Sequence, residues 1–307
     1  MPTDEEQTQR TSQPTVGWVG LGKMGLPMAR RILQAGYPLS AYNRTADRAR
    51  SLAEQGGRLL ASPAEVAAVS GVTFSMIADD AALEAVALGP QGVFQTIAPG
   101  STFVDMSTVS PGISARVAEK AREKSVAYLR APVSGSTVFA ESGRLTILAS
   151  GPREAFDACA PLLQQLGQKL YHVGPGDEAR VLKLLINMMV GTTAVMVAEA
   201  LTLGEKNGLD WAQMIEIVQQ SAVGSPLIGY KAKSLTEKNF PPAFTAAQIA
   251  KDCDLALGVG RETNVPLPVT ALVRQLYGGM LATGRGPSDF FSVLYLLEEM
   301  AGLRPRD

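Results

Sequence analysis

From Val16 onward, short apolar runs alternate with longer amphipathic ones. VGWVGLG, beginning at Val16, predicts a strand running into a turn. Met24 to Ala35 predicts a helix that Gly36 stops. Tyr37 to Tyr42 predicts a second strand, and ADRARSLAEQG a helix with Gly56 at its end. VTFSMIA reads as a strand, ADDAALEAVAL as loop and helix, and STFVDMST as a further strand. GISARVAEKAREKS then reads as a helix and VAYLRAPV as the next strand. Two more strands are expected near Arg144–Ala149 and Lys169–Val173, with the helix PREAFDACAPLLQQLG between them. Strand and helix in alternation imply βαβ units and a doubly wound, mostly parallel sheet.

After about residue 177 the texture changes. Glu178 to Lys206 reads as one helix, apolar on nearly every face and therefore expected to be buried. Only helical patterns follow Gly208. Asp210 is a candidate cap, Phe244 to Glu262 a helix, and Ser288 a candidate cap for the last helix. The expected organisation is a polar, disordered tail over residues 1–14 and an α/β domain over 15–177. A linking helix over 178–206 and an all-α domain over 207–307 complete it.

Composition narrows the class. Twenty-nine acidic against 28 basic residues argue against nucleic-acid binding, which needs a basic face. Residues 1–14 carry no apolar core and so are not a secretory signal. The uncharged run Leu184 to Ala198 is 15 residues, short of the ~18–20 of a membrane span. Cys159 and Cys253 stand apart, which suits a reducing cytoplasm, and with His172 the single histidine no zinc site is expected. No metal and no membrane partner are expected.

The sharpest motif is Gly20-Leu21-Gly22-Lys23-Met24-Gly25, after a strand and opening a helix. The first glycine allows the tight turn, the second the approach of a pyrophosphate, and the third close packing of helix on strand. It marks a dinucleotide-binding (Rossmann) domain. At the end of the second strand stand Asn43, Arg44 and Thr45, where an NAD site usually places a carboxylate. A guanidinium there pairs with the 2′-phosphate, so NADP(H) is expected over NAD(H). Rossmann geometry also places Met76, Ile77 and Ala78, and Thr108 near the nicotinamide end, along the cofactor.

Taken together, VGLGKMGLPMA, DMSTVSP, APVSGS and the pair Lys183/Asn187 resemble the β-hydroxyacid dehydrogenase family, from Val16 to about Gly302. The family includes 3-hydroxyisobutyrate dehydrogenase, tartronate semialdehyde reductase and glyoxylate/succinic semialdehyde reductase. The resemblance implies a Rossmann domain plus an all-α domain, assembled as homodimers or homotetramers. It implies a catalytic role for Lys183 and substrate contacts from Ser134, Gly135, Ser136 and Asn187. It also implies that Lys251, in a Lys-Asp pair, lies close to cofactor and substrate. Many members read APVSGG and follow the lysine with two adjacent asparagines. Here Ser136 and Ile186 stand in those places, which favours a glyoxylate or succinic semialdehyde substrate over 3-hydroxyisobutyrate.

The residues support that chemistry. Lys183 can protonate a forming alkoxide, and burial in an apolar helix is expected to lower its pKa. Asn187, four residues on, shares its helix face. His172 reads as structural, Met188, Met189 and Met196 as packing, and Asp79-Asp80 as a helix cap. The rivals are an imine reductase on the same scaffold, against which Lys183 counts, and a non-catalytic NADP-binding protein. The long apolar helix is expected to form a subunit interface.

Overall fold

The computed structural model describes residues 14–303. The tail expected over residues 1–14 falls almost wholly outside them. The chain divides into two compact units, one up to Lys183 and one from Leu184 on.

The first unit follows the predicted alternation. In chain order its elements are β1 (Val16–Val19), α1 (Gly25–Gln34), β2 (Leu39–Tyr42), α2 (Arg50–Ala53), β3 (Arg58–Leu59), α3 (Pro63–Ala68), β4 (Val72–Ser75) and α4 (Asp80–Leu83). Then come β5 (Thr102–Asp105), α5 (Pro111–Glu123), β6 (Ala127–Arg130), β7 (Val133–Ser134), α6 (Thr137–Glu141), β8 (Leu145–Ala149), α7 (Arg153–Leu166) and β9 (Gly167–His172). Strands β1 to β6 form one sheet in the order β3-β2-β1-β4-β5-β6, and every pairing in it is parallel. Its order reverses at β1 and β4, which puts the ligand crevice of such a sheet at their carboxyl ends. Both faces are covered. Trp18 stacks on Phe74 with centroids 5.3 Å apart on one side. Phe103 stacks on Tyr128 on the other.

Three details differ from the pattern reading. The last three strands are not an extension of the parallel sheet. They form their own sheet, β7-β8-β9, with β7 antiparallel to β8. The helix expected over 46–56 is a 3-10 turn, Ala46–Ala49, passing into the short α2, which ends at Ala53. The run after Asp79 starts as α4, which Asp79 caps through the Ala82 amide at 2.9 Å. It continues as a π-turn over Glu84–Leu88.

Helix α8 (Glu178–Lys206) carries the chain across the boundary at Lys183. The second unit continues with α9 (Trp211–Gln220), α10 (Pro226–Thr236), α11 (Ala246–Thr263), α12 (Pro268–Ala282) and α13 (Val293–Met300). Its core gathers Ala194, Ala198 and Leu201 of α8 with Ile215, Ile249, Tyr277 and Phe291. Gly191 is there because a side chain would meet Ile249 at 3.0 Å. Asp210 caps α9 through the Gln213 amide at 2.8 Å, as its position predicts. Ser288 does not cap the last helix. Asp289 caps the preceding 3-10 turn instead, accepting from the Phe291 amide at 3.0 Å, and the Ser292 side chain at the start of α13 makes no capping hydrogen bond.

Within the single chain α8 is buried on one side only. Leu185, Met189, Met196 and Leu203 are exposed, Met189 by 68%. By length and composition the helix would pass for a membrane span. Its Ala194–Ala198 side packs into the unit's core instead, as a core helix does.

Candidate active site

The glycine turn is the best-defined part. Gly20 has φ +97°, and a Cβ there would meet the Met76 carbonyl oxygen at 2.4 Å. A Cβ on Gly25 would meet the Gly20 carbonyl oxygen at 2.0 Å, so α1 crosses the end of β1 in contact with it. Around Gly22, by contrast, nothing lies within 4 Å of where a side chain would stand. Open space at the second glycine, between two glycines that cannot be replaced, is the cradle a pyrophosphate needs. The first turn of α1 holds no acidic side chain, so its positive end is left for an anion. The turn is fastened from both sides. The Trp18 indole donates to the Gly20 carbonyl at 3.0 Å. The Leu21 amide donates to Asn43 Oδ1 at 2.8 Å, and Asn43 Nδ2 donates to the Thr45 carbonyl at 2.7 Å. Asn43 therefore shapes the site, while Arg44 and Thr45 are exposed at its rim with Lys23. Leu21 is buried and Met24 half-buried. These residues fit a dinucleotide.

Met76, Ile77 and Ala78 follow β4, and Ser107 and Thr108 follow β5, all at carboxyl ends of neighbouring strands. The Ile77 amide donates to Ser107 Oγ at 3.0 Å, which ties the two loops together. Thr108 is half-buried beside them.

Behind these loops lies a polar network that the motif reading missed. Asp105, fully buried at the end of β5, accepts from Ser75 Oγ and Ser107 Oγ, each at 2.6 Å. It also pairs with Arg180 in the first turn of α8. The Arg180 guanidinium donates to the Ser107 carbonyl at 2.6 Å and to the Tyr128 hydroxyl at 2.9 Å. Burial works against its charge, yet Tyr128 and Asp105 beside it hold its pKa above the ordinary value. Burial likewise pushes the Tyr128 hydroxyl up, so it stays a neutral phenol. Alongside, Arg130 and Ser114 both donate to Asp177 Oδ1, at 2.8 and 2.5 Å. The signal available in the sequence was Asp105, a charge at the end of an apolar strand. Its partner lies 75 positions away.

Lys183 is half-buried three residues after Arg180. Ser134, Gly135 and Ser136 sit where β7 turns into α6, in the smaller sheet. Gly135 has φ +136°, and a side chain there would meet Leu145 at 2.8 Å. Ser136 Oγ is buried without a protein hydrogen-bond partner. Such an orphan is what a bound polar group satisfies.

In the second unit, Asn187 Nδ2 donates to Asp252 Oδ2 at 2.5 Å, and Lys251 pairs with Asp252 Oδ1 at 3.0 Å. Asp252 is buried, so it is the organiser of this pair of expected substrate contacts. Lys183 and Asn187 share helix α8, one turn apart.

Other groups fall away from the chemistry. The His172 ring lies 2.9 Å from the Gly151 carbonyl and packs on Phe156. Burial pushes the Cys159 thiol up to about 11 and Cys253 up to about 12, so neither is a thiolate nucleophile. No cluster of three metal-ligating side chains occurs among the described residues.

Comparison with known proteins bears on both units. Residues 15–174 match the model of the NAD-binding domain of 6-phosphogluconate dehydrogenase. Residues 178–297 match that of the NAD-binding domain of NADP-dependent 3-hydroxyisobutyrate dehydrogenase. The chain is 36% identical over 289 residues to 2-(hydroxymethyl)glutarate dehydrogenase of Eubacterium barkeri, covering 94% of this chain and 96% of that one. It is 33% identical to glyoxylate/succinic semialdehyde reductase 1 of Arabidopsis thaliana, covering 91% and 96%. Among solved structures, 3-hydroxyisobutyrate dehydrogenase of Salmonella typhimurium superposes with a TM-score of 0.83 at 26% identity, over 92% of this chain and 99% of that one.

Proposed function

Since the chain belongs to the β-hydroxyacid dehydrogenase family and its cofactor is NADP(H), we propose that it reduces a small aldehyde acid, of the glyoxylate or succinic semialdehyde type, to the hydroxy acid. One observation carries this reading. Lys183 stands in the second turn of a helix whose first turn is fastened to the end of β5, beside the loops that follow the open glycine turn. The relatives add to it, since one is named for glyoxylate and succinic semialdehyde and another for a branched hydroxy diacid.

Bound NADPH supplies the hydride. Gly20 to Gly25 and the amino end of α1 would hold its pyrophosphate, and Arg44 would pair with a 2′-phosphate. Ser134, Gly135, Ser136 and Thr108 hold the substrate carboxylate, which gives the orphaned Ser136 hydroxyl its partner. Lys183 donates one ammonium proton to the carbonyl oxygen as the carbon accepts the hydride. The neutral amine is then reprotonated from solvent. In the second unit Asp252 holds both Asn187 and Lys251, for which the resemblance implies substrate contacts.

The test is nicotinamide oxidation with glyoxylate, succinic semialdehyde and a 2-formyl diacid, each with NADPH and NADH. Turnover with at least one of them, and faster with NADPH, is expected. Turnover of cyclic imines alone would replace this reading with the imine reductase. In the same assay Arg44→Asp should weaken NADPH by roughly 10–150-fold, the equivalent of ~1.5–3 kcal/mol for charge-assisted hydrogen bonds, and NADH far less. Equal losses would remove Arg44 from the phosphate.

The exposed apolar residues of α8 belong, on this reading, to a homodimer or homotetramer contact. Sedimentation should give a species larger than a monomer, and a clean monomer ends the idea.

A further inference from the structure

We propose that Arg180 is a positioning residue for the reaction: its guanidinium registers Lys183 against the loop that carries Ser107 and Thr108. The inference rests on the reading of Lys183 as proton donor.

The geometry is specific. Arg180 is 1% exposed and precedes Lys183 by three positions on α8. Three residues on a helix leave side chains adjacent, displaced about 4.5 Å along the axis. Nη1 donates to the Ser107 backbone carbonyl at 2.6 Å, the peptide group that leads into Thr108. Nη2 donates to Asp105 and to the Tyr128 hydroxyl, and Nε points at Ser114 Oγ, 3.5 Å away. Ser107 in turn accepts from the Ile77 amide. One planar fork thus joins the end of β5 and its loop to the helix turn just before Lys183, and Ser107 extends the tie to the loop after β4.

Adhesion does not account for it. Apolar side chains of equal volume would hold helix on sheet as well as a buried ion pair, since desolvating two charges offsets most of their attraction. They would not fix the rotation of the helix or its height over the loop. Donors in a rigid plane do both. The rest of the turn shares the task, because the Ala179 amide donates to Ser150 Oγ at 3.2 Å and Asp177 holds Arg130. A proton donor needs that registration, since a misplacement of about 1 Å can cost roughly 100-fold in rate.

A double-mutant cycle separates positioning from mere stability. Arg180→Lys keeps the charge but not the fork. In the full-length enzyme it should lower kcat by roughly 10–100-fold, with the NADPH Kd within about twofold. In a Lys183→Ala background the same change should lower residual kcat by less than about twofold, because nothing is left to register. Equal fold-losses in both backgrounds, or an unchanged kcat in Arg180→Lys, would overturn the proposal and leave Lys183 as the donor. A wild-type kcat in Lys183→Ala alone would remove the donor and the positioning role together. If Arg180→Lys does not fold, Tyr128→Phe takes its place in the cycle. It removes a single acceptor from the fork, and a loss confined to the Lys183 background is again the expected result.

Discussion

Lys183→Ala is expected to lower kcat by roughly 10²–10⁴-fold, the usual contribution of a positioned acid, while NADPH binds within about twofold of wild type. The two effects separate because the cofactor's cradle is built from other segments. The turn at Gly20–Gly25 is held by Trp18 and Asn43, neither of which involves α8. Lys183→Arg sharpens the test. A guanidinium keeps the positive charge near the forming alkoxide but does not release a proton. If proton donation matters more than charge, Lys183→Arg should recover less than about tenfold of the lost rate. Stopped-flow hydride transfer and cofactor fluorescence titration read the two quantities separately. A full recovery in Lys183→Arg would make Lys183 an electrostatic group rather than an acid. Undiminished turnover in Lys183→Ala would end the assignment.

Asp289→Ala should be the most destabilising single change in the second unit. Asp289 is fully buried and accepts from Lys231 Nζ at 2.7 Å, itself 3% exposed. The ammonium also lies 5.1 Å from the Phe290 ring and 5.5 Å from that of Phe291. Removing the carboxylate strands that charge in an aromatic core, at a cost of about 3–5 kcal/mol. The Phe291 amide loses its cap as well, about 1 kcal/mol more. At roughly 2–4 °C per kcal/mol the melting temperature falls on the order of 10–20 °C. Asp289→Asn keeps an acceptor for the cap but not the charge, and should sit between the two. Lys231→Met combined with Asp289→Asn should recover most of the loss, because neither charge then remains buried. Equilibrium urea unfolding reads all three, and a loss below about 1 kcal/mol in Asp289→Ala would show that the pair is not what holds these helices.

How legible these features were follows from their range. The glycine turn and its flanking strand and helix are local, so GLGKMG shows them directly. Asp210 and Asp79 cap helices where local spacing puts them. Asp105 with Arg180, Asn187 with Asp252, and Lys231 with Asp289 are different. Each joins residues 58 to 75 positions apart, and no period or spacing records such a pair. The smaller sheet was misjudged for the same reason. Leu145–Ala149 looks like any buried strand, and only its partners show that it left the main sheet. The partial burial of α8 within one chain has another cause. Hydropathy measures what a helix could bury, whereas its exposed Met189 and Leu203 depend on which neighbours are present.

The position of β1 has a consequence for how the chain comes to be folded. It precedes both of its partners in the chain and stands in the middle of the finished sheet, between β2 and β4. Its second neighbour, Val72–Ser75, is made only later, by several seconds at roughly 5–20 residues per second. Until then one edge of an apolar strand lacks its partner, and a nascent chain has reason to engage a chaperone there. Loss of Val16–Val19 would also not trim the sheet at its rim. It would separate β3-β2 from β4-β5-β6 and leave two fragments, neither with a glycine turn between them.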